Sequence, residues 1–502
     1  MTQSSNQISK TRWSSTFAFL MAMIGSAVGL GNIWRFNYVV YSNGGGAFFI
    51  PYLCAIIFMG VPFLLIEYGV GYKFRDSFSN ILKKIKPCFE VLGWLVMLFL
   101  FLDLSYYMIV LGWDCIYFIL SFFKGWGADP NMFFNANLIV GGMNLDSLTT
   151  FVLPVTAVTI ILWAVLWYIS HKSIDAIEKT VKILIPLMFF LMIFIVFYSL
   201  TLPGHDVGLQ ALFTPDWSAL GNIDIWLAAF GQVLYSLSMG EAVALTYASY
   251  LPEGSKLIDN LLVVVASNSF FEIFTAVGVF SILGYMALET GCSVGQVATS
   301  GTGLLFIAFP QVFNIMGNFA YILGPVFFLC VLFAGLTSIV GMFEPIVNAM
   351  SAKFGLSRTK AATIVGLIGL CVSLIYTTGS GNFILTVVDE FFSEFALLLG
   401  VILQVIIFGW FYSIEKIVPI LNENSSIHVG KKWIFTIKFL LPIILTIIWL
   451  SGVAGLIGTQ DGATVLIEAV VTVMFIVVPI VLTLLPEKKS DVNLNPAIEE
   501  SS

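Results

Sequence analysis

Gly25-Ser26-Ala27-Val28-Gly29-Leu30-Gly31-Asn32 interrupts a run, residues 15–41, that is otherwise apolar enough to cross a bilayer. Three glycines in seven residues, closed by an asparagine, favour open backbone over helix. Unwound backbone survives at membrane depth only where it is buried in protein or lines a cavity, since lipid offers its amides and carbonyls no partner. A second interruption, Ser236-Leu237-Ser238-Met239-Gly240-Glu241, falls inside the apolar run 223–250. Each interrupted run opens a set of five. Broken spans at matching positions of two halves mark an inverted-repeat secondary transporter.

The remaining chain agrees with that reading. Of 502 residues, 59% are hydrophobic and 10% charged, with a mean hydropathy of +0.98. A soluble chain carries about 25% charged residues, so a soluble enzyme, a nucleic-acid binder and a disordered scaffold are excluded together. The net charge of −7 says little about partners, because the charges lie in loops. Spanning needs about 20 apolar residues, and twelve runs qualify: 15–41, 46–70, 89–124, 149–169, 174–202, 223–250, 258–288, 317–350, 360–377, 382–413, 434–457 and 464–485. Only the connections 125–148, 203–222 and 289–316 are long. If the N-terminus is cytoplasmic, twenty of the 22 Lys and Arg residues fall in cytoplasmic segments, leaving Arg35 and Lys124 outside. The positive-inside rule then places both termini in the cytoplasm of a multi-pass plasma-membrane protein. The polar opening Met1 to Ser15 has no signal-peptide pattern, so the N-terminus is expected to be retained. The six cysteines read as small buried hydrophobes.

The expected fold is an all-α polytopic membrane protein of twelve transmembrane helices. It is a 5+5 inverted repeat with helices 1 and 6 unwound at mid-membrane. A cytoplasmic segment, 1–14, precedes a first repeat, 15–202, and a second, 203–413, which carries the outer loop 289–316. Helices 11 and 12 (414–485) and a cytoplasmic tail (486–502) complete the chain.

GSAVGLGNIWRF (25–36), NGGGAFFIPY (43–52), SYY (105–107), TYASY (246–250) and FAGLTS (333–338) give this chain a close family likeness. Over about residues 10 to 415 it resembles the neurotransmitter:sodium symporters, in particular the bacterial leucine transporter and its prokaryotic homologues. The resemblance implies sodium-coupled symport of a small molecule by alternating access. It also implies ligands for two sodium ions and no organic cofactor. The first set is the Gly25, Val28 and Ala334 carbonyls with the Thr337 and Ser338 hydroxyls. The second is Ala27, Asn32, Ser236 and Asn268, with the substrate's own carboxylate. Sodium is a hard cation suited to such oxygens. Residues 334, 337 and 338 share one helix face by their spacing; taken alone, the two hydroxyls also suit bonds to their own helix.

The substrate carboxylate is expected at the amides of Leu30 and Gly31, where a half-helix begins, with the Tyr107 hydroxyl beside it. Ala27, Tyr235, Ser236, Ser238, Ser338 and Met342 complete the pocket that the resemblance implies. Gly29 stands where monoamine members carry an aspartate, which favours amino acids over decarboxylated amines. Glu272, one turn from Asn268, occupies a position that is small and polar in chloride-dependent members. A fixed carboxylate there, near Tyr52, Gln232 and Ser236, makes chloride dispensable. Glu67 resembles the family glutamate that ties down the break in span six. Arg35 matches the outer gate arginine, but its aspartate partner falls at Phe392, with Asp389, Glu390 and Glu394 nearby. Trp13 and Tyr250 match the inner gate, with Lys10 or Arg12 as its basic member. The acid expected after span eight has no counterpart in 351–355.

Asp103 and Glu241 depart from the leucine-transporter pattern, standing where the pocket meets the substrate side chain. Two carboxylates in one subsite repel unless a cation lies between them or one holds a proton. The expected substrate is therefore a basic or amine-bearing amino acid. The alternative is a neutral polar or hydrophobic one, with the acids protonated or internally paired. A channel would need a continuous polar pore, and a membrane enzyme a catalytic cluster that His171, His205 and His428, in or beside different loops, do not form. A non-transporting amino-acid sensor remains the rival from another class. The other partners expected are the bilayer lipids and no nucleic acid.

Overall fold

The computed structural model describes residues 12–142, 144–297, 302–456 and 461–488. Lys10 lies outside the described residues. Among the described residues, ten continuous helices are long and apolar enough to span a membrane. They are Gly46–Phe74, Pro87–Ser121, Leu153–Ser170, Ile174–Ser199, Leu257–Thr290, Gly317–Phe354, Arg358–Tyr376, Gly381–Phe411, Lys431–Leu456 and Gly462–Leu484. Spans one and six are broken. The first runs as Thr16–Ala27, Leu30–Ile33 and Arg35–Ser42, the sixth as Ile223–Ser236 and Val243–Ser249. Twelve spans result, in the order read from the sequence.

Local chemistry sets the ends. The Ser15 hydroxyl caps span one by accepting from the Ala18 amide at 3.2 Å, and Asp461 caps span twelve through the Thr464 amide at 2.7 Å. Gly291 and Gly355, at φ 69° and 60°, end spans seven and eight in the left-handed conformation that a residue without Cβ adopts freely. Burial sorts the spans by role. Of the eighteen-residue apolar cores, 83% of span three and 78% of span seven is buried, against 17% for spans eleven and twelve. The last two helices therefore present most of their surface to lipid, while the broken first span packs on spans five, seven and eight and the broken sixth chiefly on span two.

The long connections carry structure that hydropathy alone did not reveal. Pro130–Asn137 and His205–Phe213 are helices, and Leu304–Ala308 continues into the helix Phe309–Ile315. Gly208 lets His205–Phe213 lie directly on span seven, since a Cβ there would overlap the Phe280 carbonyl. Span ten contains two π-helical turns, Phe392–Leu397 and Ile407–Phe411. Each widened turn rotates the faces that follow it relative to a regular helix.

Candidate functional site

The first half-helix stops at Ala27 because Val28 and Gly29 turn extended. The Gly29 amide donates to Asn32 Oδ1 at 2.9 Å, so the Gly25 carbonyl loses its helical partner. The Leu30 amide donates to the Tyr107 hydroxyl at 3.1 Å. A Cβ on Gly29 would lie 2.9 Å from Ser338 Oγ and 3.2 Å from the Tyr107 oxygen, and one on Gly31 would meet nothing within 4 Å. Gly29 thus sits under two hydroxyls with no room for a side chain, and Gly31 borders open space.

Span six unwinds after Ser236. Ser238, Gly240 and Ala242 adopt φ of 48°, 84° and 58°, and for the two non-glycines this is a strained conformation held by its surroundings. Gln404 Nε2 donates to the Gly240 carbonyl at 2.7 Å. The fully buried Glu67 faces the Gly240 and Ala242 amides. Across the gap, the Ser238 hydroxyl points at the Ser26 carbonyl, 3.5 Å away. Val401 occupies the place a Cβ on Gly240 would need. Gly240→Ala therefore adds strain and a clash, expected to cost about 1–3 kcal/mol. The melting temperature in detergent should fall, and an unchanged one would show that the break relaxes freely.

Most members of the two oxygen sets expected to hold sodium are brought together: Gly25, Ala334, Thr337 and Ser338 in one, and Asn32, Ser236 and Asn268 in the other. Gly25 packs on span eight so closely that a Cβ there would be 3.1 Å from Thr337 Cβ. The Thr337 and Ser338 hydroxyls both donate to the Ala334 carbonyl, at 3.0 and 3.1 Å, so they turn for now to their own helix. In the second set, Asn32 Nδ2 donates to Asn268 Oδ1 at 2.8 Å, and Asn268 Nδ2 to Ser236 Oγ at 3.1 Å. That chain of amides links spans one, seven and six. Glu272, fully buried, accepts from the Tyr52 hydroxyl and from Gln232 Nε2, the latter at 2.7 Å. Val28, Ala27 and Met342 are buried.

Asp103 and Glu241 are 7% and 6% exposed and lie close enough to repel each other. Glu241 Oε2 has no hydrogen-bond partner among the described residues. Asp103 is reached by the Tyr106 hydroxyl, which also reaches Asp389 on span ten. The sequence reading missed Tyr106. Its spacing of three from Asp103 on one helix was the available signal.

The two ends of the bundle differ. At the basic end, Trp13 Nε1 donates to the Tyr247 carbonyl at 2.9 Å and the Trp13 amide to the Tyr250 carbonyl at 3.0 Å. The Tyr250 hydroxyl donates to Glu344 at 2.9 Å, and Arg358 grips the same carboxylate with two bonds of 2.6 and 2.7 Å. Arg12 pairs with Glu253 at 2.8 Å. The buried acid that meets Tyr250 is therefore Glu344, inside span eight, rather than a residue after it. Trp13 and Tyr250 are 2% and 7% exposed, so this end is closed.

At the opposite end, a cavity of about 770 Å³ is lined by Arg35, Tyr235, Glu390, Ser393, Glu394 and Glu468, among others. The Arg35 guanidinium stacks over the Tyr235 ring at 3.7 Å, and Glu394 is the cavity acid that attracts it. Phe392, at the position counted for the arginine's partner, is buried against Tyr106 instead. Asp389 and Glu390 are exposed, which leaves this end open.

Broken spans one and six, facing each other across a closed and an open end, define a secondary transporter of the inverted-repeat class. The chain belongs to the sodium:neurotransmitter symporter family, whose model matches residues 10–137 and 128–485. It is 37% identical over 435 residues to an uncharacterized sodium-dependent transporter of Methanocaldococcus jannaschii, covering 86% of this chain and 88% of that one. The creatine transporter of Torpedo marmorata is 28% identical over 424 residues, 76% of this chain and 69% of that one. The crystal structure of MhsT in complex with L-phenylalanine superposes with a TM-score of 0.75 at 30% identity, covering 88% of this chain and all of the other. This is a multi-pass membrane protein and a sodium-dependent symporter.

Proposed function

We propose that this symporter, a carrier and not an enzyme, imports amino acids by alternating access with two sodium ions, without chloride, and with both termini cytoplasmic. The observation that carries it is the Tyr107 hydroxyl on the Leu30 amide above a side-chain-free Gly29. That arrangement leaves an anion site at a half-helix start, and the substrate's α-carboxylate supplies the anion. Its amino group then meets carbonyls freed in the two breaks. The first sodium ion takes the Gly25, Val28 and Ala334 carbonyls with Thr337 and Ser338; the second takes Ala27, Asn32, Ser236 and Asn268. Two charges moving through 100 mV release about 4.6 kcal/mol, a gradient above about a thousandfold.

The acidic side-chain subsite favours a basic or amine-bearing amino acid. A neutral substrate is the second reading, favoured by the phenylalanine bound in MhsT. Tyr250, Trp13, Arg12 and Glu344 serve as the inner gate. Arg35 serves as the outer one, with Glu394 as the acid it meets on closure.

Uptake of labelled amino acids into proteoliposomes under a sodium gradient tests this reading. Replacing chloride by gluconate should leave wild-type uptake unchanged, because Glu272 supplies the fixed negative charge. Glu272→Ser removes that charge, so uptake should slow and become chloride-stimulated. A wild type that stops without chloride defeats the role given to Glu272. Absence of sodium-driven amino-acid uptake defeats the whole reading.

A further inference from the structure

Two nearly sealed carboxylates, Asp103 and Glu241, share a subsite, and one oxygen of Glu241 is left without a partner among the described residues. Among the described residues, no Lys, Arg or His faces the pair. Its surroundings are Tyr106 and Tyr107 on span three, Glu67 on span two and Asp389 on span ten. Two negative charges in such a site repel each other unless a cation or a proton lies between them. The Tyr106 hydroxyl lies between Asp103 and Asp389, within interaction range of both. Asp389 is exposed at the open end, where Arg35, Glu390 and Glu394 face it. Tyr106 is itself fixed by its ring contacts with Tyr376 and Phe392, at centroid distances of 6.4 Å each.

We propose that the ammonium of a basic side chain displaces the proton held between Asp103 and Glu241, and that this proton leaves through the Tyr106 hydroxyl to Asp389. Resting on the amino-acid reading above, this adds a proton step to it. The exchange balances: a carboxylic acid and a side-chain ammonium become a carboxylate–ammonium pair and one released proton. In the relay, Asp103 passes its proton to the Tyr106 oxygen as the Tyr106 O–H passes its own to Asp389. Asp389 then returns it to water. A neutral side chain brings no charge, so the proton stays and donates a hydrogen bond. The carrier thus trades a side-chain charge for a proton at a place separate from Glu272.

The test uses the full chain in detergent with saturating sodium. L-lysine, L-ornithine and L-leucine are titrated calorimetrically at one pH in two buffers of different ionisation heat, which counts protons per ligand. About one proton released per lysine or ornithine, and none per leucine, is expected. Asp103→Asn should bind lysine without release. Tyr106→Phe keeps both acids, so release should persist in amount but slow at least tenfold in stopped flow with a pH indicator. Lysine binding without release overturns the exchange, as does release that survives Asp103→Asn. An unaltered release rate in Tyr106→Phe overturns the relay. Binding of neutral amino acids alone overturns the exchange and leaves the amino-acid reading standing. Binding of none, with sodium present, removes both.

Discussion

Replacing Thr337 by Val and Ser338 by Ala is expected to abolish sodium-driven uptake while leaving the protein folded. The two hydroxyls donate to carbonyls of their own helix, at 3.0 and 3.1 Å to Ala334. Their removal therefore leaves no donor stranded, and the Ala334 carbonyl keeps its place in the helix. Neutral bonds of this kind are worth about 1 kcal/mol each, a modest loss for a bundle of this size. A bound sodium ion is affected far more. It would lose two oxygen ligands in a site that water does not reach, and each bond to a charged group is worth about 1.5–3 kcal/mol. Together that is about 3–6 kcal/mol, or two to four decades in sodium affinity. Gly25 packs closely against Thr337, a Cβ there falling 3.1 Å from Thr337 Cβ. Uptake measured against sodium concentration, with a melting curve in sodium and in choline, separates binding from folding. Undiminished uptake with the same sodium dependence would sink the assignment.

The backbone breaks were legible because glycine is costly in a helix and polar backbone is costly in lipid, and both costs are local. Gly25, Gly29 and Gly31 announce the first break within seven residues. The outer gate was not legible for the opposite reason. The family resemblance puts the partner at Phe392, whereas Glu394, within the π-helical turn Phe392–Leu397, is the residue that shares the cavity with Arg35. Neither the turn nor its rotation has a signature in hydropathy. Glu344 illustrates a second limit. It is visible as a carboxylate inside span eight, but its partners Tyr250 and Arg358 belong to spans six and nine. Only the folded arrangement shows that it closes one end. Asp103 and Tyr106 stand three apart and were readable as neighbours, while Asp389 joins them from across the bundle. Long-range meetings of this kind follow from packing, which periodicity does not encode.

Asp103→Val combined with Glu241→Phe is expected to exchange one class of substrate for another. Under the proposed reading the two buried acids, which lie near each other and near Tyr106, flank the side-chain end of the pocket. An ammonium placed there gains two counter-charges in a setting from which water is nearly excluded. Taking both acids away leaves that ammonium buried and unpaired, which typically costs about 3–5 kcal/mol. Lysine and ornithine should then bind at least a hundredfold more weakly. The replacements supply apolar surface instead, and burying a leucine or phenylalanine side chain against it is worth about 1.5–3 kcal/mol. Leucine or phenylalanine should bind tenfold or more tightly than to the wild type, approaching the kind of ligand seen in MhsT. The sodium sites and the Leu30 amide are untouched, so sodium dependence should be retained for the new substrates. Equilibrium binding of the four amino acids to both proteins, with and without sodium, reads the exchange directly. A wild type that prefers leucine or phenylalanine to every basic amino acid at neutral pH contradicts the cationic reading. In that case the carboxylates hold their proton through the cycle, and the double variant should change affinity for neutral substrates alone.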